Sequence, residues 1–128
     1  MLTNKVVKIA EEWQKSVNEK NILKLLELSD EQIEMAGPRG SVSGHQHLAD
    51  WLSRAGLTLT TINKYERNNT VVLEQHAVWK DGKGTILGEA NVASLMKVEN
   101  GKVTYVARYD NDLEKALNDA KMSLKDKV

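Results

Sequence analysis

The chain has 128 residues, 41% of them hydrophobic and 28% charged, and its 18 basic residues balance its 18 acidic ones. This composition is typical of a globular protein, and zero net charge provides no field that would hold a phosphate backbone or an anionic membrane. Nucleic acid and membranes are therefore not expected partners. The absence of cysteine excludes disulfides and a cysteine nucleophile.

The first 28 residues have the periodicity of two helices. Spacings of three and four relate the apolar residues of the first helix, with Trp13 pointing inward: Leu2, Val6, Ile9, Trp13 and Val17. Asn21 is a candidate N-cap for a second, shorter helix that ends near residue 28. Lys5 and Lys8 interrupt the apolar start, so no signal peptide is expected and the predicted location is the cytoplasm.

A short strand is predicted over residues 29–36, ended by the punctuating segment 37–40, Gly-Pro-Arg-Gly. Ser43 and Gln46 have the spacing of a capping box for a third helix, which Gly56 is placed to end. The apolar side of that helix contains Trp51. The opening of the chain is therefore expected to run helix, helix, strand, helix.

From residue 57 onward the hydrophobic period is two, and four antiparallel strands are predicted over 57–66, 70–79, 85–98 and 102–110. Short turns connect them, and Asn100-Gly101 is the strongest hairpin signal. A last helix begins near Leu113, and the polar tail from Lys121 is expected to fray. With no repeat and no linker, residues 1–128 are assigned to a single domain.

This order of elements resembles the nuclear transport factor 2-like superfamily, and its SnoaL-like branch most closely. The Trp13 helix and three segments carry the resemblance: "SDEQIEMAGPRG", "GHQHLADWL" and "GKVTYVARYDND". It implies an α+β, cystatin-like cone, in which a curved antiparallel sheet wraps around the N-terminal helices and encloses one pocket. Members include isomerases, hydrolases and adaptor proteins, so the resemblance does not select a function.

Alternation divides each strand into two sets of side chains. In similar epoxide hydrolases the position matching Arg108 points into the pocket, which implies that Glu74, His76, Val92 and Asp110 face inward too. The predicted catalytic group is then His76 as acid or base, Glu74 orienting it, and Arg108 stabilising negative charge. The alternative is an ion-pair network that only braces the strands.

Five further residues are ligand-binding candidates. Trp13 and Trp51 are expected to floor the pocket with apolar surface. Glu34 lies close to the position where steroid-isomerase relatives place an acidic base, and Arg39 and His45 are candidates for the rim. A metal site is not expected, because residues two apart on a helix, such as His45 and His47, project in directions about 200° apart. No cofactor is predicted.

Three functions remain open at this point. The first is a small-molecule binding domain with an apolar pocket and a polar Glu/His/Arg end. The second is an acid-base enzyme of lyase, isomerase or hydrolase type, and the third is a dimeric protein-interaction module. A homodimer is expected through the outer sheet face, for which six residues are predicted to lie outside: Leu73, Ala77, Trp79, Tyr105, Ala107 and Tyr109.

Overall fold

A computed structural model of the chain describes residues 5–37 and 40–128, and in that part of the chain it contains four α-helices and six strands. The helices are α1 Lys5–Asn18, α2 Ile22–Glu27, α3 His45–Arg54 and α4 Leu113–Asp119. The strands are β1 Ser29–Gly37, β2 Gly40–Ser43, β3 Leu57–Arg67, β4 Thr70–Lys80, β5 Ile86–Glu99 and β6 Lys102–Asp110. Leu2, with which the predicted first helix opens, lies outside the described residues.

The six strands form one curved, unclosed sheet in the order β2-β1-β6-β5-β4-β3. β3 to β6 form the predicted antiparallel meander, and β1 joins it parallel to β6. The turns at Asn68-Asn69 and Asn100-Gly101 have positive φ at both central residues, as a tight hairpin requires. The expected α+β cone is confirmed.

The concave face of the sheet packs on α1. Of the predicted apolar stripe, Trp13 and Val17 are buried in the main core against β4, β5 and β6, while Val6 and Ile9 are only partly buried at its edge. Val7 and Ala10, which the prediction did not include, complete the buried side of the helix. Its sheet partners include Leu73 and Met96, which are almost completely buried. The alternation of β4 therefore places its odd-numbered residues on the concave side.

The convex face packs on α4. Asp112 caps this helix by accepting a hydrogen bond from the Lys115 backbone N–H, and Ala116 and Leu117 are buried against the sheet. The Tyr109 hydroxyl donates to Asp119 Oδ2 at 2.7 Å and ties α4 to β6. Small side chains on both sides let the short helix approach the sheet closely.

The expectation that the tail frays is wrong. Ser123 and Asp126 form a capping box around a short 3-10 turn, Leu124–Asp126. The Val128 N–H then donates to the Lys64 carbonyl at 2.8 Å, so the tail lies along part of the edge strand β3. A local cap and one backbone pairing are enough to order a polar segment.

The start of α3 also differs from the prediction. Ser43 belongs to the unpredicted strand β2, and Gly44, with φ of 100°, is the N-cap without a side-chain hydrogen bond. The helix ends at Arg54, and Gly56 follows its C-cap, Ala55. A Cβ at Gly56 would lie 1.9 Å from the Lys80 carbonyl oxygen, so the close approach of β4 requires glycine there.

The predicted outer-face residues divide between the two faces. Leu73, Ala77 and Trp79 lie on the concave side, while Tyr105, Ala107 and Tyr109 lie on the convex side against the α4 cluster. Their assignment to one exposed patch was wrong, because the alternation of side chains within a strand does not determine the register between neighbouring strands. The homodimer itself stays a prediction. Within residues 5–37 and 40–128, none of the helices is long and apolar enough to cross a membrane.

Candidate functional site

A cavity of about 270 Å³ opens between the helices and the concave face of the sheet. Three parts of the fold supply its described walls, namely α1 with α3, the β1–β2 hairpin, and the strands β3, β5 and β6: Trp13, Trp51; Met35, Ala36, Gly37, Val42; Leu57, Leu59, Ser94, Val106, Arg108. Most of these side chains are apolar. Apart from the two indoles, Ser94 and Arg108 are the hydrogen-bonding side chains in the described lining.

Trp13 and Trp51 form one fixed wall. Their rings are stacked, with centroids 6.3 Å apart and planes 19° from parallel. The Trp13 indole N–H donates to Ser29 Oγ at 2.9 Å, and that hydroxyl donates to the Leu25 carbonyl at 2.7 Å. Both tryptophans line the cavity, as the sequence led us to expect. This hydrogen bond and the stacking hold the Trp13 ring in place before any ligand binds.

A chain of buried polar side chains lies behind Ser94. The Ser94 hydroxyl donates to Gln75 Oε1 at 2.7 Å, and the Gln75 amide donates in turn to Gln14 Oε1. Thr61 also donates to that oxygen, at 3.0 Å, and Gln14 Nε2 donates to the Leu59 carbonyl at 3.3 Å. Partners across α1, β3, β4 and β5 offset the cost of burying these groups.

Arg108 lies at the rim of the cavity. Its Nε is 2.9 Å from Asp110 Oδ1, which makes an ion pair, but the Nε–H does not point at that oxygen and has no hydrogen-bond acceptor. The guanidinium carbon lies 5.6 Å from the centre of the Trp79 ring. The side chain is 37% exposed, so the cation is accessible from the opening.

A vestibule of about 320 Å³ adjoins the cavity and shares Trp51, Leu57 and Arg108 with it. Arg54 and Lys80 also line it, and the described lining contains no carboxylate. Three cations around the vestibule produce a positive potential there, since the paired Asp110 offsets only part of it. The vestibule therefore favours negative charge.

Glu74 and His76 do not converge with Arg108. β4 and β5 pair Gln75 with Val92 and Glu74 with Ala93, which puts Glu74 and His76 on the convex face. Parity within each strand was right, but the register between the strands was one residue off, and a slip of one residue exchanges the faces. The predicted catalytic group is therefore split across the sheet.

The two misplaced residues have local surface partners. His76 Nε2 lies 3.0 Å from Glu89 Oε1, and its Nδ1 lies 3.3 Å from Asn91 Oδ1. The hydrogen bond to Glu89 raises the pKa of His76 above 6.5, with a further contribution from Asn91. Glu74 accepts a hydrogen bond from Asn63 at 2.8 Å. These contacts are typical of an exposed strand surface.

The other candidates are placed as follows. Val92 and Asp110 pair across β5 and β6 on the concave side, as expected, but neither is among the described residues that line the cavity. Glu34 pairs with Tyr105, which puts it on the other face. His45 shares a 3.0 Å hydrogen bond with the Ser29 carbonyl and borders a separate, more open depression of about 580 Å³ beside α2. Arg39 lies outside the described residues.

The lining carries little acid-base chemistry. Arg108 is the one ionisable side chain among the described residues of the cavity wall, and a guanidinium does not deprotonate in proteins. Burial and the hydrogen bond to Asp119 raise the pKa of Tyr109 on the convex side, away from the cavity. No group of three His, Asp or Glu side chains in residues 5–37 and 40–128 is placed to hold a metal ion.

Sequence reasoning missed Gln14, Gln75 and Ser94. A signal was present, because Gln75 stands in the more apolar set of β4, between Leu73 and Ala77. A single amide in an apolar face is expected to be buried and to need partners. Weighing apolar content would have placed this set inside.

No family model matches the chain, and no curated protein matches it in sequence. Solved structures do match in fold. An LEH-like epoxide hydrolase from M. tuberculosis aligns with a TM-score of 0.76 at 14% identity, over 91% of this chain and 92% of that one. An NTF2-like protein of unknown function from Cytophaga hutchinsonii aligns with a TM-score of 0.72 at 17% identity, over 88% and 93%.

A third similar structure is a putative ketosteroid isomerase from Kribbella flavida, with a TM-score of 0.73 at 12% identity over 84% of this chain and 78% of that one. At identities this low, the structural matches show the fold alone. The resemblance to the nuclear transport factor 2-like, SnoaL-like fold is confirmed at that level. Function has to be argued from the cavity.

Proposed function

We propose that this chain, whose fold is that of the nuclear transport factor 2-like superfamily, binds a small planar organic anion in the concave cavity. The apolar body of the ligand lies against Trp13 and Trp51, and its anionic group meets Arg108. One observation carries the proposal: among the described residues, the wall of an apolar, aromatic cavity contains one cation, Arg108. Small-molecule sites typically combine an apolar lining with few polar groups.

The cavity supports an aromatic occupant. A stacked indole pair favours a flat ring system, which gains offset stacking in addition to burial of its apolar surface. The volume of about 270 Å³ is close to the lower end of ligand pockets, so the fit is to a compact molecule. Val42 and Met35 of the hairpin close the opposite side.

Arg108 supports a negative charge on the ligand. Its Nε–H lacks an acceptor although Nε is buried, and an anion with two oxygens offers what the fork of a guanidinium prefers. Asp110 holds the side chain near the rim through the ion pair. Arg54 and Lys80 add positive potential along the entrance.

Binding is favoured over acid-base catalysis by the same lining. A proton-transfer enzyme needs a group with a tunable pKa within hydrogen-bond reach of the substrate. The described wall offers Arg108 and Ser94, and the Ser94 hydroxyl hydrogen is donated to Gln75. His76 and Glu74, which were candidates for that role, lie across the sheet.

Titration calorimetry with 2-naphthoate and with its neutral isostere 2-naphthamide tests the proposal. The wild-type protein should bind naphthoate and prefer it to the amide. Arg108→Leu should weaken naphthoate binding about tenfold, the lower end for hydrogen bonds to a charged group because Arg108 is partly exposed, and leave naphthamide nearly unchanged.

Arg67→Leu is the matched control, since Arg67 is exposed at the far end of β3 and does not line the cavity. It removes the same charge from the chain, so a general electrostatic effect would weaken binding equally in both variants. Equal affinities of Arg108→Leu and the wild type for naphthoate would refute the role of Arg108. If neither 2-naphthoate nor 2-naphthamide bound to the wild-type protein, the proposed site would be refuted.

A further inference from the structure

The hydrogen bonds behind the cavity have a fixed direction. The series of hydrogen-bonded side chains ends at the Leu59 backbone carbonyl. This oxygen has no hydrogen to donate, and it accepts from Gln14 Nε2 at 3.3 Å and from Asn18 Nδ2 at 2.8 Å. Because this end only accepts, Gln14 must direct its nitrogen there. Its amide oxygen is consequently directed to the other neighbours, Thr61 and Gln75.

The next two links follow from the first. Gln75 faces the oxygen of Gln14 and must present its own nitrogen, so its amide oxygen points to Ser94. That oxygen accepts, and the Ser94 hydroxyl is the donor, at 2.7 Å. Turning either amide over would set two donors or two acceptors against each other in a buried site, which is costly.

Ser94 is left with lone pairs only. A hydroxyl has one hydrogen, and here it is committed to Gln75, while the oxygen retains acceptor capacity. Ser94 lines the cavity and is 5% exposed, so a ligand group in contact with its oxygen is shielded from water. A ligand hydroxyl or N–H at this point can donate a hydrogen bond to the Ser94 oxygen. A ligand group that only accepts hydrogen bonds finds no donor there.

We propose that the ligand carries a hydrogen-bond donor, a hydroxyl or N–H, at the end that reaches Ser94. This inference rests on the proposed function and narrows its ligand class to hydroxy- or amino-substituted aromatic acids. Ser94 and Arg108 are direct cross-strand partners on β5 and β6, and Arg108 extends from there to Trp79 at the vestibule. Ser94, the acceptor inside the cavity, therefore selects a hydrogen-bond donor on the ligand, and Arg108, the cation at the rim, selects an anionic group on the same ligand.

Three naphthoates separate the donor requirement from the rest of the site. We would measure wild-type affinities for 2-naphthoate, 6-hydroxy-2-naphthoate and 6-methoxy-2-naphthoate by calorimetry. The hydroxy compound should bind about five- to tenfold more tightly than naphthoate, the value of one net hydrogen bond, and the methoxy compound should bind no better than naphthoate. In Ser94→Ala the advantage of the hydroxy compound over naphthoate should disappear.

Gln75→Met tests the direction of the hydrogen bonds that join Ser94, Gln75 and Gln14. Methionine has nearly the length of glutamine but accepts hydrogen bonds only weakly, so the Ser94 hydroxyl hydrogen is released toward the cavity. The ratio of hydroxy to methoxy affinity should fall in this variant by about the same five- to tenfold. A circular dichroism spectrum and an unfolding curve establish that the variant is folded before binding is compared.

The outcomes distinguish the two claims. If naphthoate binds but the hydroxyl group gives no advantage, or the advantage survives in Ser94→Ala, the donor requirement is overturned and the proposed function stands. A methoxy compound that binds as tightly as the hydroxy compound in the wild type also overturns it. If none of the three naphthoates binds, the proposed function fails and this inference fails with it.

Discussion

The two faces of the sheet are covered in different ways. The concave face lies under α1, 14 residues long, and α3, and a cavity remains between the tryptophans of these helices and the β1–β2 hairpin. The convex face lies under α4, only seven residues long, and packs through Ala93, Ala107 and Ala116. On the concave side Gln14, Gln75 and Ser94 are buried and joined by hydrogen bonds, whereas Glu74 and His76 on the convex side have local partners at the surface.

This contrast separates stability from binding. Close packing of small residues on the convex face fixes α4 and leaves its polar side chains to the solvent. On the concave face the polar chain from Gln14 to Ser94 has to be complete, because an unpaired member in a buried site costs free energy. Substitutions should therefore be more disruptive under α1 than under α4.

The largest effect is expected from Trp13→Ala. The ring is 3% exposed, stacks on Trp51 and donates to Ser29, so its removal should lower the free energy of unfolding by about 3 to 5 kcal/mol. Leu117→Ala, the counterpart under α4, should cost about 2 to 3 kcal/mol. Urea denaturation measures both. A larger loss for Leu117→Ala would reverse the ranking of the two faces.

A sharper test uses neighbours on one strand. Gln75→Met leaves Ser94 without its acceptor and should cost about 1 to 3 kcal/mol, whereas His76→Met on the convex surface should cost less than about 0.5 kcal/mol. The two substitutions introduce the same residue one position apart. If His76→Met were the more destabilising in urea, the register between β4 and β5 would be wrong.

Most of the fold was predictable because it depends on local signals. Asn21 caps α2 as predicted, the last helix begins at Leu113 as expected, and the four meander strands begin and end within one residue of their expected bounds. Strand β2 was missed because its four residues, Gly40–Ser43, are all exposed and have no hydrophobic period. Caps and periods act within a few residues, so a sequence records them directly.

The site was less predictable because it depends on register. Parity correctly placed Arg108 with Asp110 and Glu74 with His76, but whether these pairs share a face depends on the loop between β4 and β5. The β4–β5 pairing has a register shift between Trp79 and Lys80, at the end of β4 next to that loop. A bulge of this kind exchanges the faces without changing the alternation on either strand.

The smallest expected effect concerns the convex surface and is a matter of pH. The pKa of His76 is raised above 6.5, chiefly by its hydrogen bond to Glu89. A group whose folded pKa is raised stabilises the fold fully below its unfolded pKa, and this contribution is lost as the pH rises through the folded pKa. Glu89→Gln should therefore lower the His76 pKa and reduce stability slightly below pH 6.5, but not well above it.

An NMR titration of the His76 ring, from below to above pH 6.5, measures the first effect, and urea denaturation on either side of that pH measures the second. Glu19→Gln, at the exposed residue that follows α1, is the matched control and should leave the His76 pKa in place. Naphthoate affinity should be the same in Glu89→Gln as in the wild type, because Glu89 and His76 are not part of the cavity wall. A change in that affinity with the charge state of His76 would connect the two faces of the sheet and contradict the separation of binding from the convex surface.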